Sequence, residues 1–113
     1  MKAPVDRNDI RIRHIVEAIR DIEEFTSGLT YKEFREDARS YYACLYRLSV
    51  IGEAVSRLDS HITDQLEYPW HRVKAFRNFI LHEYHKVDEK LVWETIHSVL
   101  PEFKRIMQLL LKK

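Results

Sequence analysis

The residues best suited to chemistry lie in one short segment, RNFILHEY, at positions 77–84. This segment contains Arg77, His82 and Tyr84 among apolar residues. A guanidinium binds phosphate through a planar pair of donors, and an imidazole can take or give a proton near neutral pH. The set is therefore compatible with proton transfer at a phosphate. The same residue types at the end of an amphipathic helix are, however, more often a solvated surface.

Positive charge is concentrated around this segment. The formal net charge of the whole chain is only +1, so the overall charge predicts neither nucleic acid nor membrane as a partner. Between positions 70 and 86, however, the chain carries Arg72, Lys74, Arg77 and Lys86 against the single carboxylate of Glu83. The basic character is thus local and surrounds the candidate chemical group.

Length and composition indicate one intracellular domain. A chain of 113 residues fits a single domain at 1–113. Its one cysteine, Cys44, permits no internal disulfide and suits a reducing cytoplasm. The first fourteen residues lack the apolar run of a secretory signal, and no stretch approaches the roughly 18 apolar residues of a membrane span. We therefore expect a cytoplasmic protein with no membrane partner.

The spacing of apolar residues predicts an all-α fold. Glycine and proline are scarce, at two and three residues, which is typical of long helices with few tight turns. Apolar residues recur at intervals of three and four along four segments. We predict an up-and-down bundle of four main helices plus a short helix. The stripes are Ile12, Ile15, Ile19 and Ile22; Tyr41, Leu45, Leu48, Gly52 and Val55; Val73, Phe76 and Ile80; and Val92, Ile96, Val99, Phe103, Ile106 and Leu110.

Local signals in the first half mark helix ends and one close contact. Gly28 is predicted to cap the C-terminal end of the first helix, since glycine is common just after a helix. Thr30 and Glu33 form a capping-box pattern that begins the short helix at 31–36. Gly52, inside the second stripe, weakens its helix and is best explained by a close approach of another helix.

Signals in the second half are less regular. We predict a turn of helix at 63–67 and a main helix that begins near Trp70, after a proline. Pro101 lies inside the fourth stripe and should kink the helix or leave a carbonyl without its hydrogen bond. The leucines at 109–111 are apolar all round the helix and are expected to be buried, either in the core or in a dimer.

Arg77 and His82 do not lie side by side on one straight helix. Five positions at 100° each leave them about 140° apart around the axis. Either the helix ends or bends before His82, or the two residues meet partners across a dimer. A two-fold dimer would bring two such pairs into one cleft.

The pattern Arg-x4-His-x-Tyr formed by Arg77, His82 and Tyr84, with Asn78 after the arginine, resembles the signature of HEPN-domain proteins, specifically the HepT-like toxins. The resemblance covers nearly the whole chain. The segment IRHIVEAIRDIEEFTSGLTYKEF is similar to the first helix and turn of that family, LSVIGEAVSRL to its second helix, and YPWHRVKAFRNFILHEY to its motif helix.

This resemblance implies a HEPN-like homodimer that acts as a metal-independent endoribonuclease without a cofactor. It further implies the toxin of a type VII toxin–antitoxin system, whose partner is a nucleotidyltransferase antitoxin of the MntA type. Carried over to this chain, Arg77 and His82 would be catalytic at the dimer cleft. Tyr84 would be the tyrosine that receives AMP and silences the toxin.

The implied activity is chemically reasonable for these residues. RNA carries its own nucleophile, the 2′-hydroxyl, so a metal-bound water is not strictly needed. Asn78 could support Arg77 by orienting a phosphate or the backbone. Arg72, Lys74 and Lys86 could supply sequence-independent affinity for RNA.

Other interpretations of the sequence remain open. The chain could be a non-catalytic helical partner of a nucleotidyltransferase, or an accessory subunit that helps to bind its nucleotide. His82 and His85 have a spacing seen in metal sites, but no HExxH motif occurs and we predict no metal. Glu53 is expected to be a surface or capping carboxylate, with orientation of Arg77 as the less favoured role. For Tyr41, Tyr42 and Tyr46, packing is favoured over base stacking.

Overall fold

The computed structural model describes residues 6–111, which contain helices and no strand. The all-α prediction is therefore confirmed for this part of the chain. The expectation that no secretory signal begins the chain concerns residues 1–14, of which 1–5 lie outside the described range. The elements are α1 (Arg7–Thr26), α2 (Tyr31–Glu36), α3 (Ala38–Ser56), α4 (Ser60–Thr63), α5 (Trp70–Glu83), a 3-10 turn (Tyr84–Lys86), α6 (Glu89–Glu94), a π-turn (Thr95–Val99) and α7 (Leu100–Leu111).

Helix α3 lies at the centre of the bundle. It packs against α1 and against α5, and α1 also packs against α7. The predicted stripes of α1 and α3 are buried, whereas in α5 Ile80 is buried and Val73 and Phe76 are half-buried. Helix α5, which carries the candidate chemical residues, is therefore attached to the core mainly through α3.

Helix ends follow the predicted caps. The Thr30 hydroxyl accepts a hydrogen bond from the backbone N–H of Glu33, and the Glu33 carboxylate accepts one from the N–H of Thr30. Gly28, just after α1, has a φ of +78°, the left-handed conformation that favours glycine. The turn predicted at 63–67 is wrong in position, because α4 forms earlier, at Ser60–Thr63.

Proline changes the register of the last stripe. Pro101 has no N–H to donate and its ring crowds the carbonyl four residues back. The preceding turn widens, and the N–H of Leu100 bonds to the carbonyl of Thr95 in the π-helical pattern. The extra residue moves Leu100 into the core and leaves Val99 45% exposed, so the prediction that Val99 is buried is wrong.

Within the bundle of one chain the leucines at 109–111 are buried to different extents, and their burial in a dimer stays a prediction. Leu110 is buried, Leu111 is half-buried and Leu109 is 42% exposed. Helix α7 presents Met107 and Leu110 to the core. Leu109 lies a further 100° around the helix from Leu110 and therefore points away from the core.

Gly52 allows the closest approach between α3 and α5. A Cβ atom added at Gly52 would overlap the Cβ of Arg77 and lie 2.7 Å from its Cγ. The Cβ of Arg77 is fixed to the α5 backbone and cannot rotate away. The close helix contact that the sequence predicted at Gly52 is confirmed, and its partner is Arg77.

Replacing Gly52 with alanine should therefore destabilise the fold, although alanine is the better helix former by about 1 kcal/mol. Separating α3 from α5 should cost more than this gain, since overpacking typically costs about 1–3 kcal/mol. Urea unfolding of Gly52→Ala and wild type measures the difference. A variant as stable as wild type, or more so, would show that α5 is not held by this contact.

Candidate active site

Arg77 is held at the α3–α5 contact rather than free in solvent. Its stem lies against Gly52, and its side chain is 22% exposed. The Nη2 atom forms an ion pair with the Glu53 carboxylate, with 3.1 Å between Nη2 and the nearer oxygen. The Nε atom is buried, and it has no hydrogen-bond partner among the residues that the structure describes.

Glu53 lies between two guanidinium groups. One carboxylate oxygen is 3.1 Å from Nη2 of Arg77, and the other accepts a hydrogen bond from Nε of Arg57 at 2.9 Å. The sequence analysis favoured a surface or capping role for Glu53. The signals that could have identified its partner were its position next to Gly52, the expected helix contact, and its spacing of four from Arg57.

His82 lies on a different face of α5 from Arg77. The α-helix continues through Glu83, so the alternative in which it ends before His82 is wrong. His82 is exposed, and it remains about 140° around the axis from Arg77. The helix of one chain therefore does not bring the two groups side by side.

Tyr84 begins the 3-10 turn that follows α5 and is 59% exposed. The turn is fixed at its far end, where the Tyr41 hydroxyl donates to the Val87 carbonyl at 3.2 Å. Burial, together with the nearby charge of Glu89, raises the pKa of Tyr41, which keeps the phenol protonated and able to donate. Tyr41 thus has the packing role that the sequence favoured, and it positions the segment that presents Tyr84.

The remaining candidate residues are spread over the exposed side of α5 and its turn. Asn78, Arg72 and Lys74 are exposed on the helix. Lys86 is exposed on the 3-10 turn, with its ammonium 3.5 Å from a carboxylate oxygen of Glu83. These side chains are accessible to a polyanion, but they are not gathered into a closed pocket.

Two further findings concern metals and membranes. Within residues 6–111, no three His, Cys, Asp or Glu side chains are grouped closely enough to hold a metal ion, and this includes His82 and His85. None of the helices in this range is both long and apolar enough to cross a bilayer.

An all-α bundle that carries an arginine and a histidine on one helix, and a tyrosine on the turn that follows it, is consistent with a HEPN-type protein. The sequence profile described as "Ribonuclease HepT-like" matches residues 15–110, and the chain belongs to the HepT-like ribonuclease family. This confirms the resemblance seen in the sequence.

Several relatives support this assignment. A "Putative RNase" of Methanocaldococcus jannaschii is 33% identical over 87% of this chain and 82% of its own length. A "Probable ribonuclease HepT" of Thermococcus cleftensis is 31% identical over 82% of this chain and 86% of its own length. A "Putative RNase" of Caldanaerobacter subterraneus is 28% identical over 90% of this chain and 92% of its own length. No solved structure matches the chain.

If Arg77 serves function rather than folding, Arg77→Gln should reduce stability only slightly. Glutamine keeps the Cβ and Cγ atoms that pack on Gly52, and Glu53 keeps its bond to Arg57. The lost ion pair is partly exposed, and such pairs contribute about 1 kcal/mol or less. Urea unfolding tests this expectation.

The control for this measurement is Ile80→Ala in the same helix. Ile80 is buried, so its truncation should cost about 2–5 kcal/mol. An equally large loss for Arg77→Gln would mean that Arg77 is a structural residue of the α3–α5 contact.

Proposed function

We propose that this chain is a cytoplasmic, metal-independent endoribonuclease and the toxin of a type VII toxin–antitoxin pair, silenced by transfer of AMP to Tyr84. Membership of the ribonuclease family supports the nuclease class. The observation that carries the assignment of the site is the arrangement on α5. A guanidinium is held against α3, and an imidazole and a phenol are exposed at the same end of the helix.

The proposed reaction uses the 2′-hydroxyl of RNA as its nucleophile. One His82 imidazole takes the proton from the 2′-oxygen, which attacks the adjacent phosphorus. A protonated imidazole gives a proton to the departing 5′-oxygen as that P–O bond breaks. Arg77 stabilises the negative charge that develops on the phosphoryl oxygens. The products are a 2′,3′-cyclic phosphate and a 5′-hydroxyl, so atoms and protons balance without water or metal.

A homodimer supplies the geometry that one chain lacks. Because Arg77 and His82 lie on different faces of α5, the phosphate at Arg77 needs a histidine from elsewhere. Phe79, Leu81 and Tyr84 are 39%, 52% and 59% exposed on the same segment. Phe79 and Leu81 lie about 200° apart around the helix axis, so apolar groups are exposed on both sides of α5 for contact with a second copy. A two-fold axis beside α5 would pair the Arg77 of one copy with the His82 of the other.

RNA affinity would come mainly from charge. Arg72, Lys74 and Lys86 are accessible cations on the exposed side of α5 and its turn, and Asn78 can donate to a phosphate oxygen beside Arg77. Contacts of this kind bind the RNA backbone without reading its sequence, and they weaken as salt increases.

AMP on Tyr84 would silence the enzyme through charge and bulk. The phenol is exposed, so a nucleotidyltransferase can reach it without unfolding the helix. The transferase replaces the phenolic proton with AMP from ATP and releases pyrophosphate. The added phosphate is an anion beside the cleft, where it would compete with RNA for Arg77 and repel the RNA backbone.

A non-catalytic partner module is the second candidate. The exposed apolar residues Phe79 and Leu81 beside Tyr84 would equally suit docking of a transferase that recognises the tyrosine. This function needs neither His82 nor cleavage of RNA, and therefore the two candidates differ in a single assay.

We expect the wild-type protein to cleave RNA in EDTA, leaving 2′,3′-cyclic phosphate ends. His82→Ala should reduce the rate by about 10²–10⁴-fold, the usual contribution of a general acid or base. Gel analysis of end-labelled RNA measures both, after intact mass confirms unmodified Tyr84.

The matched control is His85→Ala, which removes another exposed imidazole three residues away. It should cleave RNA as wild type does, and all three proteins should have the same mass in solution by sedimentation. Cleavage that survives in His82→Ala would contradict the proposed mechanism. No cleavage by wild type would favour the partner module.

Transfer of AMP should be specific to Tyr84. We expect radiolabel from α-labelled ATP to appear on wild type when it is incubated with a nucleotidyltransferase of the MntA type. Label should also appear on Tyr46→Phe, a control that removes another exposed tyrosine, but not on Tyr84→Phe. Label retained by Tyr84→Phe would place the modification elsewhere.

A further inference from the structure

The orientation of the Arg77 guanidinium depends on one acceptor. Arginine has five N–H donors in a fixed plane. Among the described residues, Nε of Arg77 has no partner and Nη2 is paired with Glu53. Because Nε is buried without a partner, the ion pair of Nη2 with Glu53 is the polar contact that orients the guanidinium plane. The donors of Nη1 remain for a phosphate.

The backbone arranges this pairing through two consecutive residues of α3. Gly52 has no side chain, so the stem of Arg77 can lie directly against the α3 backbone. Glu53 is the next residue, and its carboxylate meets the guanidinium at the end of that stem. The pairing is therefore a consequence of the helix contact and not of a chance meeting of two flexible surface side chains.

A carboxylate this close to a phosphate site would normally repel the substrate. Glu53 avoids this because its second oxygen is bonded to Nε of Arg57, whose side chain is 62% exposed. The Arg57 end of the helix is held in turn by Arg11, which donates to the Arg57 carbonyl at 2.6 Å. Two guanidinium groups thus share one carboxylate, and the cluster keeps a net positive charge.

We propose that Glu53 is a positioning residue for Arg77 in RNA cleavage, and that Arg57 neutralises the Glu53 carboxylate so that it does not repel the RNA phosphate. This inference rests on the proposed ribonuclease function. It extends that function by assigning roles to two residues outside the Arg-x4-His-x-Tyr pattern, neither of which touches the reacting atoms.

The first test compares Glu53→Ala with Glu53→Gln. Without an acceptor, Arg77 can leave its productive orientation, and kcat should fall by about 10- to 100-fold. Glutamine keeps an oxygen in the same place and should restore most of the lost kcat. Unchanged or increased kcat in Glu53→Ala would overturn the proposal; an increase would mean that Glu53 withholds Arg77 from RNA.

The control for loss of an ion pair is Asp21→Asn. Asp21 is 2.9 Å from Arg47, and this pair joins α1 to α3, whereas the Arg77–Glu53 pair joins α3 to α5. Asp21→Asn should resemble Glu53→Ala in thermal stability but keep wild-type kcat. An equal fall in kcat in this control would mean that the activity responds to general loosening of the bundle.

The second test separates screening by Arg57 from direct binding of RNA. Arg57→Gln leaves Glu53 unscreened and should raise KM by up to about fivefold, the size of a partly exposed charge effect, with kcat little changed. In the Glu53→Gln background there is no charge to screen, so the same change should leave KM unaltered. A rise in KM of equal size in both backgrounds would show that Arg57 binds the phosphate itself.

A measurement without RNA keeps this inference separate from the proposed function. The Nε–H of Arg77 is buried, so its proton should exchange slowly with water in NMR spectra of the wild type. Faster exchange in Glu53→Ala but not in Asp21→Asn would support positioning, even if no variant cleaved RNA. Equal protection in wild type and Glu53→Ala would overturn positioning, whatever the activity.

Discussion

The contact between Gly52 and Arg77 determines where α5 lies, and every candidate catalytic group is carried by α5 or the turn that follows it. Helix α5 lies entirely within the described residues, and Ile80 is its one buried residue. One buried side chain gives little hydrophobic attachment, roughly 1.5–3 kcal/mol. The half-buried Val73 and Phe76 add to it, but the absence of a side chain at Gly52 is what allows α5 to approach α3 closely.

The light attachment of α5 has a consequence for function. A helix that was buried on most of its surface could not present Asn78, His82 and the basic residues to a substrate. Helix α5 leaves these groups exposed and still holds Arg77, because the arginine stem is part of the packing contact. The same residue therefore packs through its carbon atoms and, in the proposed reaction, would bind the phosphate through its guanidinium.

The fold could largely be predicted from sequence because its signals are local. Apolar spacing and the Thr30–Glu33 capping box depend only on neighbours in the chain, and both predictions were correct. Val99 was assigned to the wrong face because a strict helical period does not include the extra residue that accommodates Pro101. That widening reflects competition between the proline ring and the helix, which residue spacing alone does not reveal.

The candidate site also has a part that depends on local sequence and a part that depends on how distant helices meet. Arg77, His82 and Tyr84 were found because they form a pattern along the chain. The role of Glu53 was underestimated because its partner is 24 residues away, and the meeting depends on how α3 crosses α5. The glycine at position 52 did predict that another helix comes close to α3 at this point. Orientation of Arg77 by Glu53 was the less favoured alternative, because residue spacing does not show which side chain of the approaching helix lies opposite Glu53.

The separation of Arg77 from His82 explains why the proposed control acts at Tyr84. If the cleft needs α5 from two copies, its groups come from the exposed sides of two helices, and a change on that surface reaches both. Tyr84 lies at the end of α5, on a turn held by the hydrogen bond from Tyr41 to Val87. Because this bond fixes the turn independently of the Tyr84 side chain, the proposed addition of AMP would not require the bundle to unfold. The modification would then act by occupying the cleft with negative charge, and its removal would restore the same folded protein.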